Sequence, residues 1–336
     1  MADQFDLVIV GGGPGGYAAA FYGASAGLSV ALVEKDTIGG TCLNRGCIPA
    51  KAFLETAAAR RHAEHANEFG IATVVGDTNF ATAQARKQKI VDGLVKGLTG
   101  LVKVKKVTYL LGVGSLNADN SVTVTAADGA VSKISGRNVV LAAGSVPRTF
   151  PGFEPGGPIM TSDEVLMLDR IPQRIAVIGG GAIGCEFAST FADLGAQVTI
   201  LEGLPKILPG LDADLANVVV RSFQKKKIDI KTGVAVKSHT PTGSGSTVVQ
   251  FGEGESIEVD AVIVSIGRRP FADQLNLGST KVKVSERGFV EVDEWCRTSA
   301  DNVFAIGDLI NTPQLAHVAY AEAILVVKQI LGEKTV

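Results

Sequence analysis

Apolar positions at the start of the chain fall into short blocks separated by glycine. Phe5–Val10 has the length and composition of a buried strand. From Leu7 to Val33 no residue is charged, and a hydropathy window taken alone would mark a membrane span. That stretch holds seven glycines and Pro14, however, and its apolar residues divide into strand, turn, helix and strand. The pattern predicts a buried β-α-β unit and no membrane association. A secretory leader would need about 15–30 residues with a basic start before the mature fold, and here the first strand already begins at Phe5. Ile48–Glu68 is helical in pattern, with Pro49 in its first turn. Val139–Pro147, Val262–Pro270 and Val303–Asp308 read as strands. Thr312 and Pro313 read as cap and first-turn proline of a last helix that runs to about Leu331 and stops at Gly332.

The same pattern occurs twice. Gly11, Gly13 and Gly16 recur 168 residues later as Gly179, Gly181 and Gly184, and Ala20, Gly27, Val30 and Glu34 recur as Ala188, Gly195, Val198 and Glu202. Each copy reads as apolar strand, glycine turn, helix, second strand and terminal acid. In a dinucleotide-binding unit the first glycine allows a tight turn, the second lets backbone approach a pyrophosphate, and the third lets helix and strand pack closely. The helix N-terminus then favours the phosphate charge, and the acid accepts hydrogen bonds from ribose hydroxyls. Glu202 would repel a 2′-phosphate, which favours NAD over NADP in the second copy. A shorter repeat at an offset of 123 aligns Val139–Pro147 with Val262–Pro270, and with it Gly144 with Gly267. Each is a strand leaving its sheet through a Gly-x-x-Pro turn. The expected fold class is α/β, with two Rossmann-like dinucleotide-binding domains. The second, 151–270, is inserted into a discontinuous first domain made of 1–150 and 271–336, and the turn-rich segment 151–158 marks the boundary.

Composition narrows the chemistry. At 336 residues, 46% hydrophobic and 20% charged, the chain has material for two large cores and is not disordered. A net charge of −2 argues against a nucleic-acid partner held by phosphate neutralisation. The basic stretch Arg86–Lys106 reads as a solvated helix face followed by a strand. Four cysteines are too few for a disulfide-stapled secreted scaffold, and a reducing, cytoplasmic location is expected.

Two of those cysteines stand out. In GGTCLNRGCIPAK (residues 39–51), Cys42 and Cys47 lie just beyond the first β-α-β unit. Cys47 falls at a helix N-terminus, where the dipole favours a thiolate, and Lys51 one turn on adds positive charge. Beside two dinucleotide folds this suits reversible dithiol–disulfide chemistry. The alternatives are an inert buried pair or half of a metal site, and for the latter no second cysteine or histidine cluster supplies the remaining ligands. Cys185 and Cys296 read as core residues.

GGGPGG with Glu34, GGTCLNRGCIPAK, GGGAIGCEFA with Glu202, SIGRRP and FAIGD together resemble the flavoprotein pyridine nucleotide-disulfide oxidoreductases, and within them the dihydrolipoamide dehydrogenase branch. The resemblance implies FAD on the first unit, through Gly11, Gly13, Gly16, Glu34, Gly40, Thr41, Lys51, Gly144, Asp308 and Ala316. It implies NAD on the second, through Gly179, Gly181, Gly184, Glu202 and Gly267. It makes Cys47 the flavin-side thiol and Cys42 the thiol that exchanges with a lipoyl disulfide, with Lys51 paired to Glu186 near the flavin. It implies as partner the lipoyl group of a 2-oxoacid dehydrogenase or glycine-cleavage carrier protein, and no metal is expected, since no second ligand cluster completes a site.

Members of this family are homodimers that continue into a dimerisation domain carrying a His-Pro motif, whose histidine is the acid–base group for the exchanging thiol. This chain ends at Val336, and none of His62, His65, His239 and His317 stands in that context. His62 and His65 read as the polar side of the cysteine helix, His239 as part of a polar turn, and His317 as a packing residue. The expectation is that the flavin and NADH half operates while disulfide turnover is weak. The alternatives are a fragment with diaphorase activity only, or a related reductase such as one for mercuric ion.

Overall fold

Runs of valine, isoleucine and leucine bounded by glycine become parallel strands, and the segments between them become helices. The computed structural model describes residues 4–243 and 245–334. In chain order the elements begin with β1 (Gln4–Val10), α1 (Pro14–Ser25), β2 (Val30–Glu34), α2 (Gly40–Arg45), α3 (Cys47–Glu64) and α4 (Phe80–Val104). Next come β3 (Thr108–Leu111), β4 (Val113–Leu116), β5 (Val122–Thr125), β6 (Val131–Leu141), β7 (Ser145–Pro147), β8 (Ile159–Met160) and α5 (Ser162–Val165). The second glycine turn lies between β9 (Arg174–Ile178) and α6 (Ala182–Asp193), followed by β10 (Gln197–Glu202), α7 (Ala213–Lys225) and β11 (Asp229–Thr232). The remainder is β12 (Val236–Pro241), β13 (Thr247–Phe251), β14 (Glu255–Val259), β15 (Ala261–Val264), β16 (Arg268–Pro270), β17 (Val303–Ala305) and α8 (Ala316–Ile330).

These elements divide into two compact units. The first comprises the described residues of Met1–Asn44, Val91–Val146 and Arg269–Val336. Its seven-stranded sheet runs β3-β2-β1-β6-β5-β4, with β17 also on β6. Residues 131–134 of the long β6 pair antiparallel with β5, whereas its later residues pair in parallel with β1 and β17. The core is continuous through Leu7, Ile9, Leu32, Leu141, Ile306 and Val326.

The second unit comprises Arg45–Ile90 and Pro147–Arg268. Its parallel sheet runs β11-β10-β9-β15-β8, beside a three-stranded antiparallel sheet β12-β13-β14. The register repeats that of the first unit. Leu7 faces Val30 and Val10 faces Val33 there, and here Ile175 faces Val198 and Ile178 faces Leu201, each 168 positions on. Val10 also faces Leu141 as Ile178 faces Val264, the 123 offset.

The division differs from a cut at residue 150 in one respect. Residues 45–90, assigned from sequence to the first domain, pack with 147–268. Ala50, Phe53 and Ala57 line one face of α3 at helical spacing and join Phe187 and Phe191 in one buried cluster. Phe53 also stacks on Phe80, with ring centroids 5.3 Å apart. Burial of that apolar stripe decides where α3 belongs, and it finds its cover on α6.

Smaller differences have local causes. The cysteine helix ends at Glu64, and residues 66–69 form a separate 3-10 turn. The last helix begins at Ala316 with Leu315 as its cap, because the Thr312 hydroxyl is bonded elsewhere. Gly332, at φ +72°, stops it as expected. His239 lies within strand β12 and is half-buried against Phe153, with ring centroids 5.1 Å apart. Lys87, in the basic stretch, is buried, and its ammonium donates to the Leu166 carbonyl at 3.0 Å.

Candidate functional site

The two glycine turns share their detailed geometry. Gly11 and Gly179 sit at φ +110° and +102°, where a Cβ would come within 2.2 Å of the Ala142 oxygen or 2.5 Å of the Ser265 oxygen. A Cβ on Gly16 would lie 1.7 Å from the Gly11 oxygen, and one on Gly184 would lie 2.0 Å from the Gly179 oxygen. Only glycine fits any of these positions. Glu34 Oε2 accepts the Gly12 amide at 2.6 Å and its Oε1 accepts the Asp36 amide at 2.9 Å. Glu202 Oε2 accepts the Gly180 amide at 2.5 Å and its Oε1 the Leu204 amide at 2.7 Å. Both carboxylates are buried, and each is fixed beside its glycine turn.

The helices that follow lack the capping that helices normally carry. Gly13 and Gly181 are the N-cap residues of α1 and α6, with no side-chain cap bond and no acid in either first turn. Their first amides are thus directed at whatever anion approaches, as a bound pyrophosphate requires. Gly40 permits an approach that any side chain would block, since its Cβ would lie 2.5 Å from Gly13 Cα. Gly144 and Gly267, at φ +73° and +105°, accept the Phe271 and Arg148 amides respectively, again 123 positions apart.

In the first unit a cleft beside Glu34 is lined by Val10, Gly11, Val33, Lys35, Gly114 and Phe271. The Lys35 ammonium stands 3.9 Å from the centre of the Phe271 ring. An apolar cleft between an acid and a cation suits a planar base on a ribose. Burial, with Glu34 and then Asp36, pushes the Tyr109 hydroxyl up to about 12, so it stays neutral beside that acid. Asp308, in the turn after β17, accepts from Ser145 Oγ at 2.5 Å. Ala316 opens α8, again without a side-chain cap. Gln314, two residues earlier, has a buried amide nitrogen with no hydrogen-bond partner among the described residues. An orphaned buried donor costs free energy unless a ligand acceptor meets it. These residues fit an FAD, and the second turn with Glu202 fits an NAD.

Cys42, in α2, and Cys47, the first residue of α3, are joined as a disulfide. Gly46 caps α3 without any side-chain bond, so the dipole of an 18-residue helix acts on Cys47. Lys51, one turn in, donates to Glu186 Oε1 on α6 at 2.7 Å. A second link joins the far ends of the same two helices, where Arg61 pairs with the buried Asp193, which Lys226 also contacts at 2.8 Å. Asp163 has its carboxyl pKa raised by burial, against the opposing charges of Arg268 and Arg45, the latter lying between the two cysteines in sequence.

Cys185 and Cys296 are buried and free. Burial, aided by Glu202 and Glu186, pushes the Cys185 thiol up to about 12, and burial with Glu322 and Asp293 does the same for Cys296. His62 and His317 are exposed, and His65 contacts Glu68 at 2.9 Å. Sequence reasoning overlooked Ser145, Lys35, Gln314 and Glu322. The last of these is an acid in a run of apolar helix positions, AYAEAILVV, and that misfit of residue and burial was its only available signal.

Residues 5–323 match the family pattern described as pyridine nucleotide-disulphide oxidoreductase. A dihydrolipoyl dehydrogenase of Chlamydia pneumoniae is 38% identical over 336 residues, covering 100% of this chain and 72% of the relative. One from Bacillus subtilis is 38% identical over 345 residues, covering 99% and 73%. Among solved structures, LpdA from Mycobacterium tuberculosis superposes with a TM-score of 0.93 at 28% identity, over 100% of this chain and 74% of that one. The HOCl-induced flavoprotein disulfide reductase RclA from Escherichia coli superposes with a TM-score of 0.88 at 28% identity, over 98% and 72%.

Proposed function

The chain belongs to the pyridine nucleotide-disulphide oxidoreductases, and on that premise we propose that it is a dihydrolipoyl dehydrogenase-type enzyme that oxidises a protein-bound dihydrolipoyl group with NAD⁺. The observation that carries this reading is the Cys42–Cys47 disulfide, set at the start of a helix whose fifth residue is ion-paired to the helix behind the second glycine turn.

The residues divide the work. A substrate thiolate attacks the Cys42 sulfur, the Cys42–Cys47 bond breaks, and Cys47 leaves as a thiolate. The second substrate thiol then displaces Cys42, so that substrate disulfide and enzyme dithiol form in balance. The α3 dipole and Lys51 favour Cys47 as the leaving group. Glu34, Asp308 and the uncapped α1 would hold FAD, and Glu202 and the uncapped α6 would hold NAD. Bound FAD supplies the chemistry that couples a two-electron dithiol to a hydride acceptor. A lipoyl-carrying protein is the proposed partner. No helix among the described residues is long and apolar enough to cross a membrane.

Two activities of the FAD-loaded chain, driven by NADH, test the reading: reduction of ferricyanide and reduction of lipoamide. Ferricyanide reduction is expected in full and lipoamide reduction more weakly, with Cys42→Ser and Cys47→Ser abolishing only the second. Ferricyanide reduction alone would limit the chain to a flavin and NADH half-reaction, and neither activity would overturn the assignment.

A further inference from the structure

We infer that Glu322 is a positioning residue for Asp308, clasping the turn that presents this acid to the flavin nucleotide. The inference rests on the FAD assignment made above.

Glu322 lies on α8 and is 8% exposed, in a helix face otherwise built of Ala319, Ala323, Val326 and Val327. A carboxylate in such surroundings is costly unless its oxygens are bonded. Each oxygen has one donor. The Gly307 amide donates to Oε2 at 2.6 Å, and the Thr312 hydroxyl donates to Oε1 at 2.7 Å. Gly307 and Thr312 are the two ends of the segment that contains Asp308. One carboxylate therefore pins both ends of that segment to the helix whose first residue is Ala316.

The clasp also holds an unusual backbone. Gly307 stands at φ +69°, and a Cβ there would lie 3.3 Å from the Cβ of Ala319, one turn before Glu322. The turn is thus pressed against α8 with no side chain between them, and the charge-assisted bond to its amide fixes its height along the helix. Asp308 follows directly, and Ser145, the first residue of β7, donates to its carboxylate. An apolar residue at position 322 would fill the same space without the desolvation cost, but it would leave the Gly307 amide and the Thr312 hydroxyl without this acceptor.

The test is FAD affinity of the full chain, measured by flavin fluorescence on the apoprotein of wild type, Glu322→Gln, Glu322→Ala, Asp308→Ala and the double variant Glu322→Ala/Asp308→Ala. Glu322→Ala should weaken FAD by about tenfold or more. Glu322→Gln, which keeps an acceptor for Gly307, should recover most of that affinity. If Glu322 acts through Asp308, its removal costs little further in the Asp308→Ala background, a non-additivity that general destabilisation would not produce. Should Glu322→Ala not fold, Thr312→Val takes its place in the same cycle, with the same sign expected. Wild-type affinity in Glu322→Ala, or losses that multiply independently, would overturn the inference. A wild-type chain that binds no FAD would instead overturn the cofactor assignment, and that arm is read separately.

Discussion

Lys51 and Glu186 lie 2.7 Å apart, each one turn inside its own helix, so the pair ties the start of the cysteine helix to the start of the helix behind the second glycine turn. Their side chains are 58% and 32% exposed, and a pair so open to solvent contributes no more than about 1 kcal/mol to stability. The role proposed for it is therefore electrostatic, beside the flavin, and not structural. Glu186→Gln should leave the urea midpoint nearly unchanged while slowing flavin reduction by NADH about tenfold, the effect of ~1.4 kcal/mol on a barrier. Stopped-flow absorbance of the reductive half-reaction decides it, and an unchanged rate would remove the pair from the mechanism.

Glu202 has two duties, because the carboxylate proposed to meet a ribose also accepts the Gly180 and Leu204 amides. Glu202→Ala strands two donors at a buried site and should cost about 2 kcal/mol by chemical denaturation, besides raising KM for NADH. Glu202→Gln keeps an acceptor but removes the charge that repels a 2′-phosphate. It should retain most of the stability while narrowing the preference for NADH over NADPH. A Gln variant with an unchanged ratio of kcat/KM for the two nucleotides would show that Glu202 does not set the preference.

The repeat made half of this legible in advance. Gly11 and Gly179 announce themselves because no other residue tolerates their φ and the carbonyl beside them, and the acids follow at a fixed distance set by one helix and one strand. The packing of α3 on α6 was hidden, since Ala50, Phe53 and Ala57 specify a buried stripe but not what covers it. Thr312 misled for a related reason. Its hydroxyl has the chemistry of a helix cap, and only tertiary structure brings Glu322 close enough to take that bond. Local rules identify residues with one available use, and they fail where a side chain can choose between a sequence neighbour and a distant partner.

Steric and conformational demands on glycine can be separated within the first repeat. Gly16 has no room for a Cβ, which would meet the Gly11 oxygen at 1.7 Å, whereas Gly27 has φ +89° and open space around it. Gly16→Ala should destabilise by about 3 kcal/mol and abolish FAD retention, because the turn must open to admit the methyl group. Gly27→Ala incurs only the left-handed backbone cost of about 1–2 kcal/mol and should keep the flavin. Thermal melts with a flavin assay on both variants test this, and equal losses would mean that backbone strain, not the close approach, makes glycine necessary.

The free thiols predict a pH dependence with a definite sign. Cys185 and Cys296 are pushed up to about 12 from an ordinary value near 9, and Tyr109 to about 12 from 10. Between those limits the folded chain keeps protons that the unfolded chain has released, so unfolding releases protons and stability falls as pH rises above about 9. The urea midpoint should therefore decline steadily from about pH 9 to about pH 11. At about pH 8 the same shifts leave Cys185 and Cys296 almost wholly as thiols, and since the thiolate is the reacting form they should resist alkylation. Reduction of the disulfide exposes the contrast. Iodoacetamide at about pH 8 should label Cys42 and Cys47 of the reduced chain, and neither of the other two, as read by peptide mass spectrometry. Comparable labelling of Cys185 would show that its burial at the start of α6 opens readily enough to defeat the shift.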